Sequence, residues 1–154
     1  MTKINDKIEA FELDTDQGKF YSKDHVGKNL VLFFFPKADT SGCTKESISF
    51  SNLIDEFNDL NTIVIGISKD TIEKQKKFKT KHDLKCILGA DVNIEICSRF
   101  GVWVEKSMYG KKYMGIQRST FLSNEQGIIT NIWEKVKVPG HAEEVLETVK
   151  NLNN

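Results

Sequence analysis

Leu30 to Cys43 reads LVLFFFPKADTSGC. Its six apolar residues, Leu30 to Phe35, run without period-two alternation. A run of this length between turn signals suits a strand covered on both faces, as in a parallel sheet between helices. Pro36 ends it. Thr40, Ser41 and Gly42 supply N-cap and turn chemistry. Beyond them Ile48, Phe50, Leu53, Ile54, Phe57 and Leu60 recur at spacings that predict one helix with a buried side from Thr44 onward. Cys43 falls in its first turn or just before it. A helix start presents unpaired N–H groups and about half a positive charge. Cysteines in such places fall from about 8.5 into a pKa range of roughly 3.5 to 7.5.

Outward from this stretch, Thr62 to Ser68 is a second buried strand, rich in β-branched residues. A helix over Thr71 to His82 follows, with a basic, solvated side (Lys74, Lys76, Lys77, Lys79, Lys81). Leu84 to Leu88 reads as a short strand. Ala90-Asp91 opens a short helix through Arg99, ended by Gly101. Val102 to Gly115 reads as a loop of aromatics and lysines. Arg118 to Leu122 and Ile128 to Val136 are strands around the turn Asn124 to Gly127. His141 to Leu152 is a final amphipathic helix. Toward the N-terminus, the turn-rich Asp14 to Gly18 joins two extended pieces into a hairpin. The order predicts an α/β fold: a mixed central sheet flanked by helices, with an N-terminal β-hairpin, in one domain over residues 1–154.

Composition narrows the function. Acidic and basic side chains balance at 22 each, which argues against a nucleic-acid or anionic-membrane partner. No apolar run approaches the ~20 residues of a membrane span, and no signal-peptide core follows Met1. The expected location is cytoplasmic. The three cysteines form no CxxC pair, unlike a disulfide scaffold. No His/Cys/Asp group has zinc-like spacing and no glycine-rich phosphate loop is present, so no metal or cofactor is expected.

Pro36 to Cys43 contains Pro-x-x-x-Thr-x-x-Cys, and on it the chain resembles the peroxiredoxins. FFPKADTSGCTKE resembles the bacterioferritin comigratory protein (BCP), or PrxQ, subfamily. KKYMGIQRSTFL (Lys111 to Leu122) and VPGHAEEVL (Val138 to Leu146) agree in order, so the resemblance spans nearly the whole chain. It implies a thioredoxin-like fold and thiol-dependent reduction of hydrogen peroxide and organic hydroperoxides. Pro36, Thr40, Cys43 and Arg118 match the family's catalytic set. Such a reaction needs a thiolate, donors for both peroxide oxygens and a shielded site. Cys43 is the candidate nucleophile, with the Thr40 hydroxyl expected beside its sulfur. The backbone N–H groups of Gly42 and Cys43 add donors. Arg118 offers a fixed cation with a planar donor fork. Pro36 shields the pocket. Glu46, one turn on, is expected to orient Arg118, although first-turn acids also suit the helix dipole.

The product of the first step is a sulfenic acid, which condenses with a second thiol. Many relatives carry that thiol five residues after the nucleophile, where this chain has Ile48. Others carry it on the helix predicted at Thr71 to His82, which holds no cysteine. Cys86 and Cys97 remain as candidate resolving thiols, although both patterns suggest burial. The expected cycle is therefore a one-cysteine cycle with an external donor: thioredoxin, glutaredoxin or glutathione. The relatives it resembles are mostly monomers. The alternative is a thiol redox sensor without turnover, or a thioredoxin-fold binding protein. Trp103 and Trp133 read as core or pocket wall, and Tyr109 and Tyr113 as the rim of a lysine loop near the site. His25 reads as an exposed loop residue, His82 as a helix C-terminal residue and His141 as a surface or cap-adjacent residue.

Overall fold

The computed structural model describes residues 2–152. The strands are β1 (Glu12–Thr15), β2 (Gly18–Tyr21), β3 (Asn29–Phe34), β4 (Thr62–Ser68), β5 (Ile87–Ala90), β6 (Trp103–Met108), β7 (Lys111–Ile116), β8 (Ser119–Ser123) and β9 (Ile129–Trp133). The helices are α1 (Ser41–Asn52), α2 (Ile54–Asp59), α3 (Ile72–His82), α4 (Glu95–Arg99) and α5 (His141–Leu152). Seven strands form one sheet in the order β2-β1-β5-β4-β3-β8-β9, and β6 and β7 form a separate ribbon. β3 pairs parallel with β4, and β4 with β5, while β8 runs antiparallel to β3. This is the mixed, thioredoxin-like α/β arrangement expected, with the N-terminal hairpin in place as β1 and β2. Among the described residues no helix is long and apolar enough to cross a membrane.

β3 sits at the centre because both of its faces are apolar. Val31, Phe33 and Phe35 enter the core built with Phe50, Phe57 and the α5 residues Ala142, Val145 and Val149. Leu30, Leu32 and Phe34 enter the opposite core, with Ile96, Phe100 and Phe121. Phe33 stacks on Phe50 of α1 at 4.4 Å between ring centroids, and Phe34 meets Phe121 edge-on at 5.7 Å. Gly66 of β4 stands in register with Phe33. A Cβ there would collide with the Phe33 ring at Cζ, so only glycine fits.

The register places the site. Phe34 pairs with Ser119, so Arg118, one residue before β8, faces the carboxyl end of β3, where the chain turns toward Cys43.

Several predicted boundaries need correction. The helix expected from Thr44 through Leu60 is two helices, α1 and α2. At Leu53 the backbone leaves helical geometry and its N–H bonds Phe50 C=O, three residues back. The strand expected at Leu84 to Leu88 begins only at Ile87, because Ser51 Oγ takes the N–H of Lys85 at 2.9 Å and of Cys86 at 3.4 Å. α4 starts at Glu95 rather than Ala90, with Asp91 holding its first-turn amides. The largest correction is Val102 to Gly115. It is an antiparallel ribbon with six cross-strand pairs, from Trp103↔Ile116 to Met108↔Lys111. Only its root is well buried, so its sequence carries the polarity of a loop.

Candidate active site

Cys43 is the third residue of α1, at the carboxyl end of β3. Its side chain is buried, with 1% exposure. Arg118 Nη2 donates to Cys43 Sγ at 3.2 Å, and Nη1 of the same guanidinium donates to Glu46 Oε1 at 2.6 Å. One fork thus spans sulfur and carboxylate, a geometry lysine cannot supply. Gly42 leaves room for it, since a Cβ at 42 would meet Arg118 Nη2 at 3.2 Å. The amides of Gly42 and Cys43 meet no acceptor among the described residues, and no side chain caps α1. These N–H groups and the helix end all favour negative charge at the same place.

Glu46 is as buried as Cys43, and its second oxygen, Oε2, has no hydrogen-bond partner among the described residues. Burial pushes its carboxyl up to about 7, against the charge and hydrogen bond of Arg118. Burial also works against the Arg118 cation, but the negative charges of Glu46 and Cys43 keep its pKa raised. Glu46 and Arg118, expected together, are in direct contact. The full burial of Glu46 was not legible, because a first-turn acid resembles a helix-dipole partner. The buried side of α1 is Cys43, Glu46, Ser47, Phe50 and Ser51. It follows the helical repeat but is largely polar, so an apolar pattern cannot find it.

Thr40 departs from expectation. It occupies the N-cap position, yet its exposed hydroxyl donates to Lys37 C=O at 2.8 Å and makes no hydrogen bond to Cys43 among the described residues. Three residues separate donor and acceptor, and a turn closes that bond before substrate contributes anything. Pro36 is half-buried between β3 and this loop. The loop is staked from behind. Ala38 N–H donates to Asp70 Oδ2 at 2.8 Å, and Ser68 Oγ donates to the same oxygen at 2.6 Å. Asp39, held at φ 63°, meets Lys81 Nζ at 2.7 Å and His82 Nε2 at 2.8 Å. The bond from His82, then that from Lys81, keep the Asp39 carboxyl below its usual range.

The other cysteines lie in different surroundings. Cys86 is fully buried in the bend before β5 rather than within a strand. Burial pushes its thiol up to about 11, against a hydrogen bond from Ser51 Oγ at 3.4 Å. Cys97 is fully buried in α4, and burial, followed by the neighbouring Asp91 carboxylate, pushes its thiol far up.

His141 corrects another expectation. It is buried rather than superficial, bonded to Thr120 Oγ1 at 2.7 Å and edge-on to Phe50 and Trp133. Burial pushes its imidazole down to about 4, so at neutral pH it is an uncharged wall.

Lys106 of β6 was not singled out by sequence. Its stem lies over Gly115, where a Cβ would meet Lys106 Cδ at 3.3 Å. Partial burial lowers its pKa, with the charge of Arg118 adding to the shift and that of Cys43 opposing it. The ribbon root also adjoins the site, because β7 ends at Ile116, two residues before Arg118, and Gln117 N–H donates to Val102 C=O at 2.8 Å.

Comparison with known proteins agrees with this chemistry. Residues 4–132 match the AhpC/TSA family. A putative peroxiredoxin bcp of Coxiella burnetii is 42% identical over 145 residues, covering 94% of this chain and 96% of that one. Peroxiredoxin Bcp of Bacillus subtilis is 41% identical, covering 98% and 97%. Among solved structures, a cysteine-to-serine mutant of Xylella fastidiosa PrxQ superposes with a TM-score of 0.95 at 33% identity, covering 100% of this chain and 99% of that one. Peroxiredoxin Q of Xanthomonas campestris gives 0.87 at 37%, covering 92% and 90%. The family match over residues 4–132 and these relatives make the chain a member of the AhpC/TSA family and a thiol-dependent peroxidase of the BCP/PrxQ type.

Proposed function

We propose that Cys43 is the peroxidatic nucleophile and that the chain runs a one-cysteine cycle with an external thiol. The observation that carries the first step is the Arg118 Nη2 contact with Cys43 Sγ at 3.2 Å, beside two uncapped amides. The thiolate attacks one peroxide oxygen in line. An S–O bond forms, the O–O bond breaks, and the departing alkoxide or hydroxide takes a proton. Arg118 and the Gly42 and Cys43 amides hold the negative charge as it moves from sulfur to oxygen. Glu46 positions Arg118 and does not touch the reacting atoms. Pro36 walls the site. Thr40 reaches the peroxide once its hydroxyl leaves the Lys37 carbonyl.

The resulting Cys43 sulfenic acid needs a thiolate partner. The raised pKa values of both thiols, and the Asp91 carboxylate bonded to the Cys97 amide, argue against Cys86 and Cys97 in that role. An external thiolate then attacks the sulfenic sulfur, forming a disulfide and releasing water. A second thiol attack returns Cys43 and leaves the donor as a disulfide. A protein dithiol such as thioredoxin suits both steps; glutaredoxin and glutathione are the other donors of this type. Hydrogen peroxide and organic hydroperoxides are the substrates. We read the chain as one domain acting as a monomer in the cytoplasm, in keeping with three unpaired thiols.

The test is steady-state peroxide consumption with a thioredoxin system. Cys43→Ser should abolish it, at least ~10³-fold down. A Cys86→Ser, Cys97→Ser double variant should keep it within about twofold. A Cys43–Cys86 or Cys43–Cys97 disulfide after one equivalent of peroxide, seen by peptide mass spectrometry, would overturn the one-cysteine cycle.

A further inference from the structure

The ribbon of β6 and β7 stands outside the main sheet, yet its root adjoins the site: β7 ends at Ile116, Gln117 N–H donates to Val102 C=O at 2.8 Å, and the next residue is Arg118, whose Nη2 reaches Cys43 Sγ. Cross-strand pairs share a face, so Lys106 and Tyr113 lie together, as do Met108 and Lys111. This face, completed by Val104 and Gly115, carries no acid. The other face carries Glu105, which pairs with Lys112 at 3.6 Å. Met108 is 57% exposed and Tyr113 44%. Lys106 and Lys111 have no ion-pair partner among the described residues.

The tip is the least expected feature. The pairing of Met108 with Lys111 leaves Tyr109-Gly110 as a two-residue turn, with φ 51° and 77°. Both central residues of such a turn need positive φ, which favours Asn-Gly. A bulky side chain is strained there. Tyr109 occupies the first position at 98% exposure. It suits neither the turn, nor the core, nor water. The exposed surface of Met108, Tyr109 and Tyr113 amounts to roughly 400–500 Å², polar atoms included. This falls short of the ~800 Å² per partner of a stable interface and suits the small contacts of transient redox encounters.

We propose that this face, Lys106, Met108, Lys111 and Tyr113 with Tyr109 at the tip, docks the protein thiol donor that reduces oxidised Cys43. Its fitting partner is a dithiol protein with an apolar patch rimmed by carboxylates around its reactive thiol. Three reasons favour that occupant. The face is continuous with the site where the donor sulfur must arrive. Its unpaired charge is wholly positive. Its area suits an encounter that must release product at every turnover. The inference rests on the external-donor cycle above.

The test uses the full-length protein, a bacterial thioredoxin with its NADPH-dependent reductase, and dithiothreitol as a small donor without a docking surface. Tyr109→Asn relieves the turn and removes the ring, so loss of fold does not confound it. Lys111→Glu reverses the charge. Each should raise the KM for thioredoxin about tenfold. Turnover with dithiothreitol and the stopped-flow rate with hydrogen peroxide should stay within about twofold. The wild-type KM should rise with salt, since exposed charges are screened over about 10 Å at 0.1 M ionic strength.

A thioredoxin KM unchanged in both variants overturns the proposal. So does an equal fall with dithiothreitol, which would place the effect in the chemistry. A wild type that sediments as a dimer and separates on Tyr109→Asn also overturns it, giving the face to a second copy. Wild-type turnover with dithiothreitol but not with thioredoxin rejects the docking face alone. Turnover with neither rejects the external-donor cycle beneath it.

Discussion

Helices α1 and α4 each place a cysteine at their third residue, and they treat it in opposite ways. At α1 the amides of Gly42 and Cys43 are left open, a guanidinium faces the sulfur, and the nearest carboxylate, Glu46, sits beyond that guanidinium. At α4 the Asp91 carboxylate takes the amides of Ile96 and Cys97, at 3.2 and 2.7 Å, and stands beside the sulfur. The same backbone end is therefore open to an incoming negative charge in one place and already occupied by one in the other. A helix start does not activate a thiol by itself. What decides is whether a carboxylate has already claimed the amides, and whether a cation lies between carboxylate and sulfur.

The sharpest way to break this contrast is to remove the cation. Arg118→Met should lower the second-order rate with hydrogen peroxide about 10²- to 10³-fold, followed by stopped-flow tryptophan fluorescence. A fall of less than tenfold would mean that the open amides suffice.

The next effect lies in Glu46. Its carboxyl rises from 4.5 in the unfolded chain to about 7 in the fold. Between those values the folded state holds a proton that the unfolded state has released, so stability falls as pH rises. The contribution is whole below about pH 4.5 and gone above about pH 7. Glu46→Gln cannot titrate. Relative to it, wild type should lose up to roughly 3 kcal/mol across this window, measured by urea melts at pH 4.5 and 7.5. His141, depressed by burial, acts in the opposite direction, but it is common to both proteins and cancels. A flat difference would show that Glu46 is ionised throughout.

The smallest effect belongs to α4. Asp91→Ala should destabilise the fold by about 1–2 kcal/mol, the usual loss for a helix cap. The peroxide rate should not change, because the amides it frees face no reacting atom. A changed rate would connect the two helix ends and weaken the comparison.

These contrasts were unevenly legible in sequence. The buried strand Leu30 to Phe35, the proline that ends it and the cysteine beyond announce themselves by composition alone. Arg118 was readable through the resemblance carried by KKYMGIQRSTFL, since nothing local separates it from a surface arginine at a strand start. The Glu46 burial was not, since nothing local separates a first-turn acid in water from one sealed under an arginine. His141 was missed for a similar reason: its partners, Thr120 and Phe50, lie far away in the chain. The ribbon of β6 and β7 looked like a loop because only its root meets the core. The Thr40 hydroxyl was placed by its spacing from Cys43, but a carbonyl three residues back was the nearer acceptor.

Gly66 carries a consequence of another kind. No atom of it touches a reagent, and it belongs to the neighbouring strand. It faces Phe33, Phe33 stacks on Phe50, and Phe50 belongs to the helix that carries Cys43. Two contacts, Gly66 to Phe33 and Phe33 to Phe50, join an absent methyl group to the helix of Cys43. In a survey of random variants, position 66 should therefore score like an active-site position. Its history is constrained as well: nothing larger can arise at 66 until the ring at 33 has shrunk, so the two must change in that order.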